Sequence, residues 1–244
     1  MKLNDQILLV SGANRGLGRA LVQAALEAGA RRVYAGARDP AQLTELVATA
    51  RDRVVPLALD ITDRRSLAAA AEHAHDISML FNNAGVLASF GVLTSSDDDL
   101  ARDFATNCFG MLNATKAFLP ALERAGAHGG AAIVNVLSIV SLTNMPALGG
   151  YSASKAAAYS ITQALRGELA AKRVAVHAVL AGPIDTDMVR GMELPKTPPS
   201  EVARNIVAAV ERDQDDILPE GGSQGMFEAW RRDPRAFERQ LAGG

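Results

Sequence analysis

The chain has 244 residues, of which 48% are hydrophobic and 21% charged, a composition typical of a globular protein with a sizeable core. The formal net charge of −2 argues against a nucleic-acid or anionic-membrane partner, and no apolar stretch approaches the ~20 residues of a membrane span. Cys108 is the only cysteine, which excludes an intramolecular disulfide framework and leads us to expect a cytoplasmic location.

The first predicted unit is a strand, a glycine-rich turn and a helix. Gln6–Val10 is an apolar run that predicts a buried strand, and apolar periodicity after the turn predicts a helix to about Ala28. The turn, Gly12–Gly18, has the spacing G-x-x-x-G-x-G. Glycines let the backbone approach a pyrophosphate, and the start of the helix stabilises its charge. The pattern predicts the first half of a dinucleotide-binding unit, although alone it also fits a plain tight turn.

The end of the second predicted strand, Arg32–Ala37, indicates which dinucleotide is bound. An acidic residue there binds the 2′-hydroxyl of the adenosine ribose, whereas a nearby Arg accommodates a 2′-phosphate. The expected acidic position is Ala37, the next residue is Arg38, and Arg15 in the turn adds a second positive charge. The sequence therefore favours NADP over NAD. The alternative is that Arg38 is a surface loop residue and Asp39 recognises the ribose.

Helices and strands then alternate. The pattern predicts a helix over Pro40–Ala50, a strand over Val54–Ala58, a helix from about Asp63 to Ala74 and a strand over Met79–Phe81. Asp60 follows the third strand, where it accepts a hydrogen bond from an adenine amino group, caps the next helix, or does both. The fourth strand is followed by Asn82-Asn83-Ala84-Gly85, in which Gly85 allows a ligand to approach closely.

The second half of the chain continues the alternation. Ser95–Asp99 predicts the capped start of a helix to about Leu119, with Asn107 at an unfavourable position in its middle. The segment Pro183–Pro199 has little helical pattern and is predicted to be the lid of an open cleft. The other predicted elements are a strand over Ala131–Val136 with Ser138 at its exit, a helix from Tyr151 to about Lys172, a strand over Val174–Leu180, a helix over Ser200–Arg212, a short strand over Asp216–Pro219 and a weak final helix.

The helix that starts at Tyr151 carries a possible acid–base pair. Tyr151 and Lys155 are four residues apart and so share one helix face, roughly 5–6 Å apart at Cβ. A phenol has an ordinary pKa of about 10, which a nearby ammonium lowers. A Tyr brought towards the working pH can donate or accept a proton. On its own, this spacing also fits a packed Tyr beside a solvated Lys.

Together the elements predict an α/β protein with a single-domain, doubly wound Rossmann fold: a mostly parallel seven-stranded sheet with helices on both faces. We expect one domain over residues 1–244, with a cofactor half to about residue 130 and a catalytic and substrate half from residue 131. In such a sheet, ligands bind at the carboxyl ends of the strands. Six motifs fall at predicted strand exits: Gly12–Gly18, Arg38, Asp60, Asn82–Gly85, Ser138 and Gly182–Thr186.

Over nearly its whole length the chain resembles the short-chain dehydrogenase/reductase family. The resemblance rests on residues whose order and spacing both match: Gly12–Gly18, Asn82–Gly85, Asn107, Ser138, Tyr151–Lys155 and Gly182–Thr186. Ser11 in place of Thr and Ala181 in place of Pro depart from the family pattern, but neither change removes a reacting group.

The resemblance implies an NADP-dependent carbonyl reductase that also runs as an alcohol dehydrogenase. Tyr151 would donate the proton, Lys155 would lower the pKa of Tyr151 and hold the nicotinamide ribose, Ser138 would bond the substrate oxygen, and Asn107 would hold a relay water. Thr186 would fix the nicotinamide carboxamide. The expected NADP(H) contacts are Gly12, Asn14, Arg15, Gly16, Leu17, Gly18, Arg38, Asp60, Ile61, Asn83, Ala84, Gly85, Tyr151, Lys155, Pro183, Ile184 and Thr186.

The residues expected around the substrate are mostly apolar, which favours an apolar ketone or aldehyde. The predicted pocket residues are Val140, Met145, Met188 and Met192, and the sequence predicts no metal site. Three other functions stay open: a 3-ketoacyl-carrier-protein reductase of lipid synthesis, a dehydratase or epimerase on the same scaffold, and a non-catalytic NADP-sensing protein. The resemblance also implies a homodimer or homotetramer.

Overall fold

The computed structural model of the chain describes residues 1–243. Within them, seven strands form one sheet, and every strand pair is parallel. The strands are β1 (Ile7–Ser11), β2 (Arg32–Ala37), β3 (Val54–Ala58), β4 (Met79–Asn82), β5 (Ala131–Val136), β6 (Val174–Val179) and β7 (Asp216–Ile217).

The strand order is β3-β2-β1-β4-β5-β6-β7. The chain builds outward from β1 to β3, returns to the other side of β1, and then builds outward from β4 to β7. The switch between β1 and β4 opens a crevice at the carboxyl ends of the strands, which is where such sheets bind ligands. The predicted doubly wound Rossmann fold is confirmed.

Helices cover both faces because the strand residues alternate in direction. Leu8 and Val10 of β1 belong to a core beneath the first and seventh helices, whereas Ile7 and Leu9 belong to a second core beneath the third, fifth and sixth. The helices are α1 (Gly16–Glu27), α2 (Thr44–Thr49), α3 (Arg64–His73), α4 (Asp97–Asp103), α5 (Met111–His128), α6 (Gly149–Leu169), α7 (Pro199–Glu211), α8 (Gly221–Arg232) and α9 (Pro234–Leu241).

The helix predicted to end near Leu119 differs most from the structure. It is α4, a π-helical segment over Phe104–Gly110 and then α5, which continues to His128. Ser96 caps the start of α4, and its side chain accepts a hydrogen bond from the N–H of Asp99 at 3.1 Å. The apolar pattern could not predict the π segment. The wider turn of this segment places Asn107 against the backbone of Val86, and a local pattern does not show a contact with a distant residue.

The C-terminal region also differs from its prediction. The weak final helix is two helices, α8 and α9, separated by Asp233, whose side chain caps α9 by accepting from the N–H groups of Arg235 and Ala236. The helix predicted over Pro40–Ala50 begins with a 3₁₀ turn, Pro40–Leu43, before α2. Among residues 1–243, no helix is both long enough and apolar enough to span a membrane.

Candidate active site

A cavity of about 590 Å³ opens at the carboxyl edge of the sheet. It is lined by all the residues predicted to contact the cofactor, by Ser138, and by the predicted pocket residues Val140, Met145, Met188 and Met192. The fold therefore brings together segments that follow β1, β2, β3, β4, β5 and β6. The apolar end of the cavity also includes Leu87, Leu148, Leu194 and Met226.

The backbone of the glycine-rich turn has a conformation and a packing that require glycine. Gly12 and Gly16 have φ values of +67° and +52°, a region that L side chains rarely adopt. A Cβ atom on Gly18 would lie 2.1 Å from the carbonyl oxygen of Gly12, so only glycine fits there. Asn83 donates to the carbonyl oxygens of Ser11 and Gly12 at 2.8 and 3.2 Å, which ties the turn to the exit of β4. The start of α1 then offers free N–H groups to an anion.

The exit of β2 presents a positive side chain to the cavity. Arg38 is exposed and lines the cavity. The neighbouring carboxylate of Asp39 accepts from the N–H of Ala41 at 3.0 Å and caps the 3₁₀ turn. Arg15 also lines the cavity, and it pairs with Asp187 of the predicted lid at 3.2 Å. Two guanidinium groups therefore stand where an adenosine ribose would lie in a dinucleotide site.

Asp60 lies at the exit of β3 and lines the cavity. Its Oδ1 accepts from the N–H and the hydroxyl of Thr62, at 2.9 and 2.7 Å. The N-cap of α3 is Asp63, whose side chain accepts from the N–H of Arg65 at 2.8 Å. The interpretation of Asp60 as the helix cap is therefore wrong, because the helix begins one turn later.

Ser138, Tyr151 and Lys155 meet at the floor of the cavity. Ser138 follows β5, and its hydroxyl donates to the carbonyl oxygen of Ala181 after β6 at 3.3 Å. Tyr151 lies in the first turn of α6, and Lys155 follows one turn later. Lys155 Nζ lies 5.8 Å from the centroid of the Tyr151 ring and donates to the carbonyl oxygen of Val136 at 2.9 Å.

Burial controls the protonation of this pair. Tyr151 and Lys155 are 9% and 5% exposed. Burial raises the pKa of Tyr151 to about 12, although the Ser138 hydroxyl opposes the rise and the charge of Asp103 adds to it. Burial also lowers the pKa of Lys155 to about 8, against the charge of Asp103. The expected fall in the Tyr151 pKa is therefore outweighed here. The free-energy cost of removing a phenolate from water is larger than the stabilisation that neighbouring groups give to the phenolate.

Asn107 lies behind the cavity rather than in its wall. It is 2% exposed, accepts from the N–H of Val86 and donates to the Val86 carbonyl oxygen, both at 2.9 Å. Its amide also donates to the Ser154 hydroxyl at 3.0 Å, and that hydroxyl donates to the carbonyl oxygen of Tyr151 at 2.7 Å. The structure therefore connects Asn107 to the segment after β4 and to the turn that bears Tyr151.

Two buried carboxylates beside the site were not predicted from the sequence. Asp103 is 0% exposed and Glu220 is 4% exposed. Glu220 accepts from the N–H of Gly182 at 2.7 Å and from the N–H of Ser223 at 2.9 Å, so it joins the start of α8 to the loop after β6. Both residues resemble ordinary surface acids in the sequence.

Comparisons with known proteins agree with this geometry. The family model described as short chain dehydrogenase matches residues 6–196. A crystal structure of a short chain dehydrogenase from Burkholderia cenocepacia, solved in complex with NADP, is 40% identical, with a TM-score of 0.92 over 99% of each chain.

Curated relatives are more distant. An uncharacterized oxidoreductase of Bacillus subtilis is 37% identical over 68% of this chain, and the chain spans 61% of that protein's length. A 3-oxoacyl-[acyl-carrier-protein] reductase of Vibrio harveyi is 30% identical over 79% of each protein.

Proposed function

The chain belongs to the short-chain dehydrogenase/reductase family, and from that premise we propose that it is an NADPH-dependent oxidoreductase that reduces an apolar ketone or aldehyde to an alcohol. The observation that carries the proposal is that Ser138, Tyr151 and Lys155 share one cavity with the glycine-rich turn. A positioning hydroxyl, a proton donor and an ammonium are the groups that carbonyl reduction requires from a protein.

The cavity fits NADP(H). Its pyrophosphate would lie against the turn Gly12–Gly18, in which the positive φ of Gly12 and the close packing of Gly18 require glycine. Arg38 and Arg15 supply the positive charge that a 2′-phosphate requires. The NADP in the 40% identical Burkholderia structure supports the same cofactor here. When bound, the nicotinamide supplies the hydride, and the protein supplies position, electrostatics and the proton.

Tyr151 is the proton donor at the substrate oxygen. With a pKa of about 12 it keeps its proton at neutral pH, which suits reduction. As the O–H bond of the phenol breaks, a new O–H bond forms on the substrate oxygen, and the alcohol leaves. Ser138 bonds the same oxygen while negative charge develops on it. Lys155 stabilises the phenolate that remains. A proton relay through a water held at Asn107 then returns a proton to Tyr151 by way of Lys155.

The substrate end of the cavity favours a neutral, apolar molecule. Four of the chain's seven methionines line it: Met145, Met188, Met192 and Met226. Methionine side chains are flexible and polarisable, so such a wall adapts to ligands of different shape. We infer tolerance of several apolar ketones rather than strict selection of one.

Three alternatives compete with this proposal, and the first is a dehydratase or epimerase on the same scaffold, which would oxidise no NADPH overall. The similarity to the Vibrio harveyi reductase favours including 3-ketoacyl thioesters among the substrates. A non-catalytic NADP-sensing protein would bind the cofactor and reduce nothing. The homodimer or homotetramer and the cytoplasmic location stay predictions.

The test follows NADPH and NADH oxidation at 340 nm with aryl and alkyl ketones, β-keto esters, aldehydes and 3-ketoacyl thioesters. We expect turnover of several apolar ketones with NADPH. Tyr151→Phe should lower kcat by roughly 10²–10⁴-fold, the usual contribution of a general acid, with NADPH affinity nearly unchanged. Tyr159→Phe is the matched control, because Tyr159 lies on the same helix but bonds Asp216 of β7 at 2.8 Å. Full activity in Tyr151→Phe would refute the mechanism.

A further inference from the structure

Asp103, the last residue of α4, is a fully buried carboxylate with three hydrogen-bond donors around it. It accepts from the backbone N–H of Ala88 at 2.9 Å and of Ser89 at 3.0 Å, and also from the Ser89 hydroxyl. A buried carboxylate destabilises a fold unless such donors satisfy it. Because Ala88 and Ser89 supply all three donors, Asp103 fixes the position of the segment that contains them.

That segment, residues 86–90, is named here the active-site segment. On one side Asp103 accepts a hydrogen bond from the N–H of Ser89. On the same side, the side chain of Asn107 bonds both the N–H and the carbonyl oxygen of Val86. On the other side the N–H of Gly150 donates to the Phe90 carbonyl oxygen at 3.3 Å. A Cβ atom on Gly150 would lie 2.1 Å from Ser89 Oγ. Ser89 is therefore packed between Asp103 and the residue that precedes Tyr151.

Asp103 also carries charge beside two buried catalytic groups. Its carboxylate favours the ammonium form of Lys155 and the neutral phenol of Tyr151. No carboxylate of the described residues, Asp103 included, forms an ion pair within 4 Å of the Lys155 ammonium, so the charge of Asp103 acts on Lys155 without direct contact. The ammonium's own hydrogen bond goes to a neutral carbonyl oxygen.

The other titratable groups nearby are few. The active-site segment contains none, and α6 contributes Tyr151 and Lys155 at this point. The adjoining helix turns contribute Asp99, whose carboxylate accepts from the Ser96 hydroxyl, Arg102, which is exposed, and Cys108, whose thiol pKa is raised by burial. Asp103 is therefore the carboxylate whose negative charge acts on the pKa of Lys155.

We propose that Asp103 is a positioning residue that clamps the active-site segment against the first turn of α6 and balances the buried charge of Lys155. Asp103 does not line the cavity and acts through Ser89, Tyr151 and Lys155. Its effect on turnover rests on the proposed function, whereas its effect on stability does not.

The first experiment compares the melting temperatures of the wild type, Asp103→Asn and the control Asp98→Asn at pH 7 and pH 10. Asp98 is an exposed carboxylate in the first turn of the same helix. We expect Asp103→Asn to lower Tm by about 5 °C or more at pH 7, and by less than half as much at pH 10. Asp98→Asn should change Tm little at either pH.

The sign follows from linkage. The folded-state pKa of Lys155, about 8, lies below its ordinary 10.5, so the buried ammonium costs stability at low pH and this cost disappears between pH 8 and 10.5. Loss of Asp103 increases the stability cost of the buried ammonium at pH 7. It leaves the contribution of Lys155 at high pH unchanged, because Lys155 is neutral there. Loss of Asp103 also reduces the rise in the Tyr151 pKa, which costs stability only above pH 10. An equal fall in Tm at both pH values would mean that Asp103 serves only through its hydrogen bonds.

Two further variants separate the clamp from the charge. Ser89→Ala keeps the charge and removes one donor, so its fall in Tm should be the same at pH 7 and pH 10. Asp103→Asn/Lys155→Met removes both charges, and at pH 7 this double variant should melt above the level expected from the two single effects. If Asp103→Asn does not fold, recovery of a folded double variant supports the charge balance, and continued failure to fold contradicts it.

Activity provides the last readout. If the wild type reduces ketones, Asp103→Asn should lower kcat by roughly tenfold and change the NADPH dissociation constant by less than about threefold, because the clamp acts on Tyr151. An unchanged kcat would contradict the clamp. If the wild type reduces nothing, the proposed function fails, and the melting comparison still tests Asp103.

Discussion

At Tyr151, burial and the nearby ammonium act on the phenol in opposite directions, and the pH dependence of the two reaction directions shows which one wins. With a Tyr151 pKa of about 12, the phenol is protonated at neutral pH, so kcat/KM for reduction should be flat from pH 6 to 7, where Lys155 with its pKa of about 8 also keeps its charge. Oxidation requires the phenolate, whose fraction rises about tenfold per pH unit below the pKa. Its kcat/KM should rise with that slope, measured as alcohol-dependent reduction of NADP.

A flat oxidation profile over the same range would show that the phenolate is already formed at pH 6. Lys155 would then outweigh burial once the cofactor is bound, as the resemblance implied. The comparison of the two directions therefore decides between the two physical effects on one side chain.

We predict that Arg38 decides the choice between the two nicotinamide cofactors. A charged hydrogen-bonded pair with a phosphate contributes about 1.5–3 kcal/mol, so Arg38→Ala should raise KM for NADPH by roughly 10- to 150-fold. KM for NADH, which lacks the 2′-phosphate, should change by less than about threefold. The control is Arg31→Ala, an exposed Arg at the opposite end of β2. Equal losses for both cofactors would show that Arg38 does not bind the 2′-phosphate.

The helix α6 contains two glycines whose surroundings predict opposite effects of a methyl group. A Cβ atom on Gly150 would lie 2.1 Å from Ser89 Oγ and 2.4 Å from Leu100 Cδ2, so Gly150→Ala must move the turn that bears Tyr151. Such overpacking costs about 1–3 kcal/mol, and we expect a lower Tm together with a large loss of kcat.

Gly167→Ala is the matched substitution near the other end of the same helix. Nothing lies within 4 Å of a Cβ atom on Gly167, so the substitution should stabilise the helix by about 0.5–1 kcal/mol with unchanged kcat. Urea unfolding and steady-state kinetics of both variants check the pair. A Gly150→Ala variant with wild-type kcat would show that the start of α6 tolerates displacement.

The short apolar strands were predictable from the sequence. Strands β2, β3 and β5 begin and end at the predicted residues, because short apolar runs between polar turns leave little choice of boundary. The π segment and the burial of Asp103 were not predictable, because each depends on contacts with the active-site segment and local pattern carries no information about them. The cap of α3 is a local contact between Asp63 and the N–H of Arg65, but the pattern alone could not choose between Asp60 and Asp63.

The whole molecule offers a test of the predicted single domain. The cofactor half and the catalytic half share the sheet through the pairing of β4 with β5, and both cores cross that boundary. The first core contains Leu8 and Val207, and the second contains Leu9 and Leu165. Because neither half can bury its apolar face alone, we predict one cooperative unfolding transition.

Coincident urea transitions from far-ultraviolet circular dichroism and from Trp230 fluorescence would establish this cooperativity. Trp230, the only tryptophan, lies on α8 and reports on the catalytic half. NADPH at about 100 times its dissociation constant should stabilise the fold by about 2.7 kcal/mol and shift both signals equally, because the cavity draws on both halves. Separate midpoints, or a shift in one signal alone, would instead divide the chain near residue 130 into two folding units.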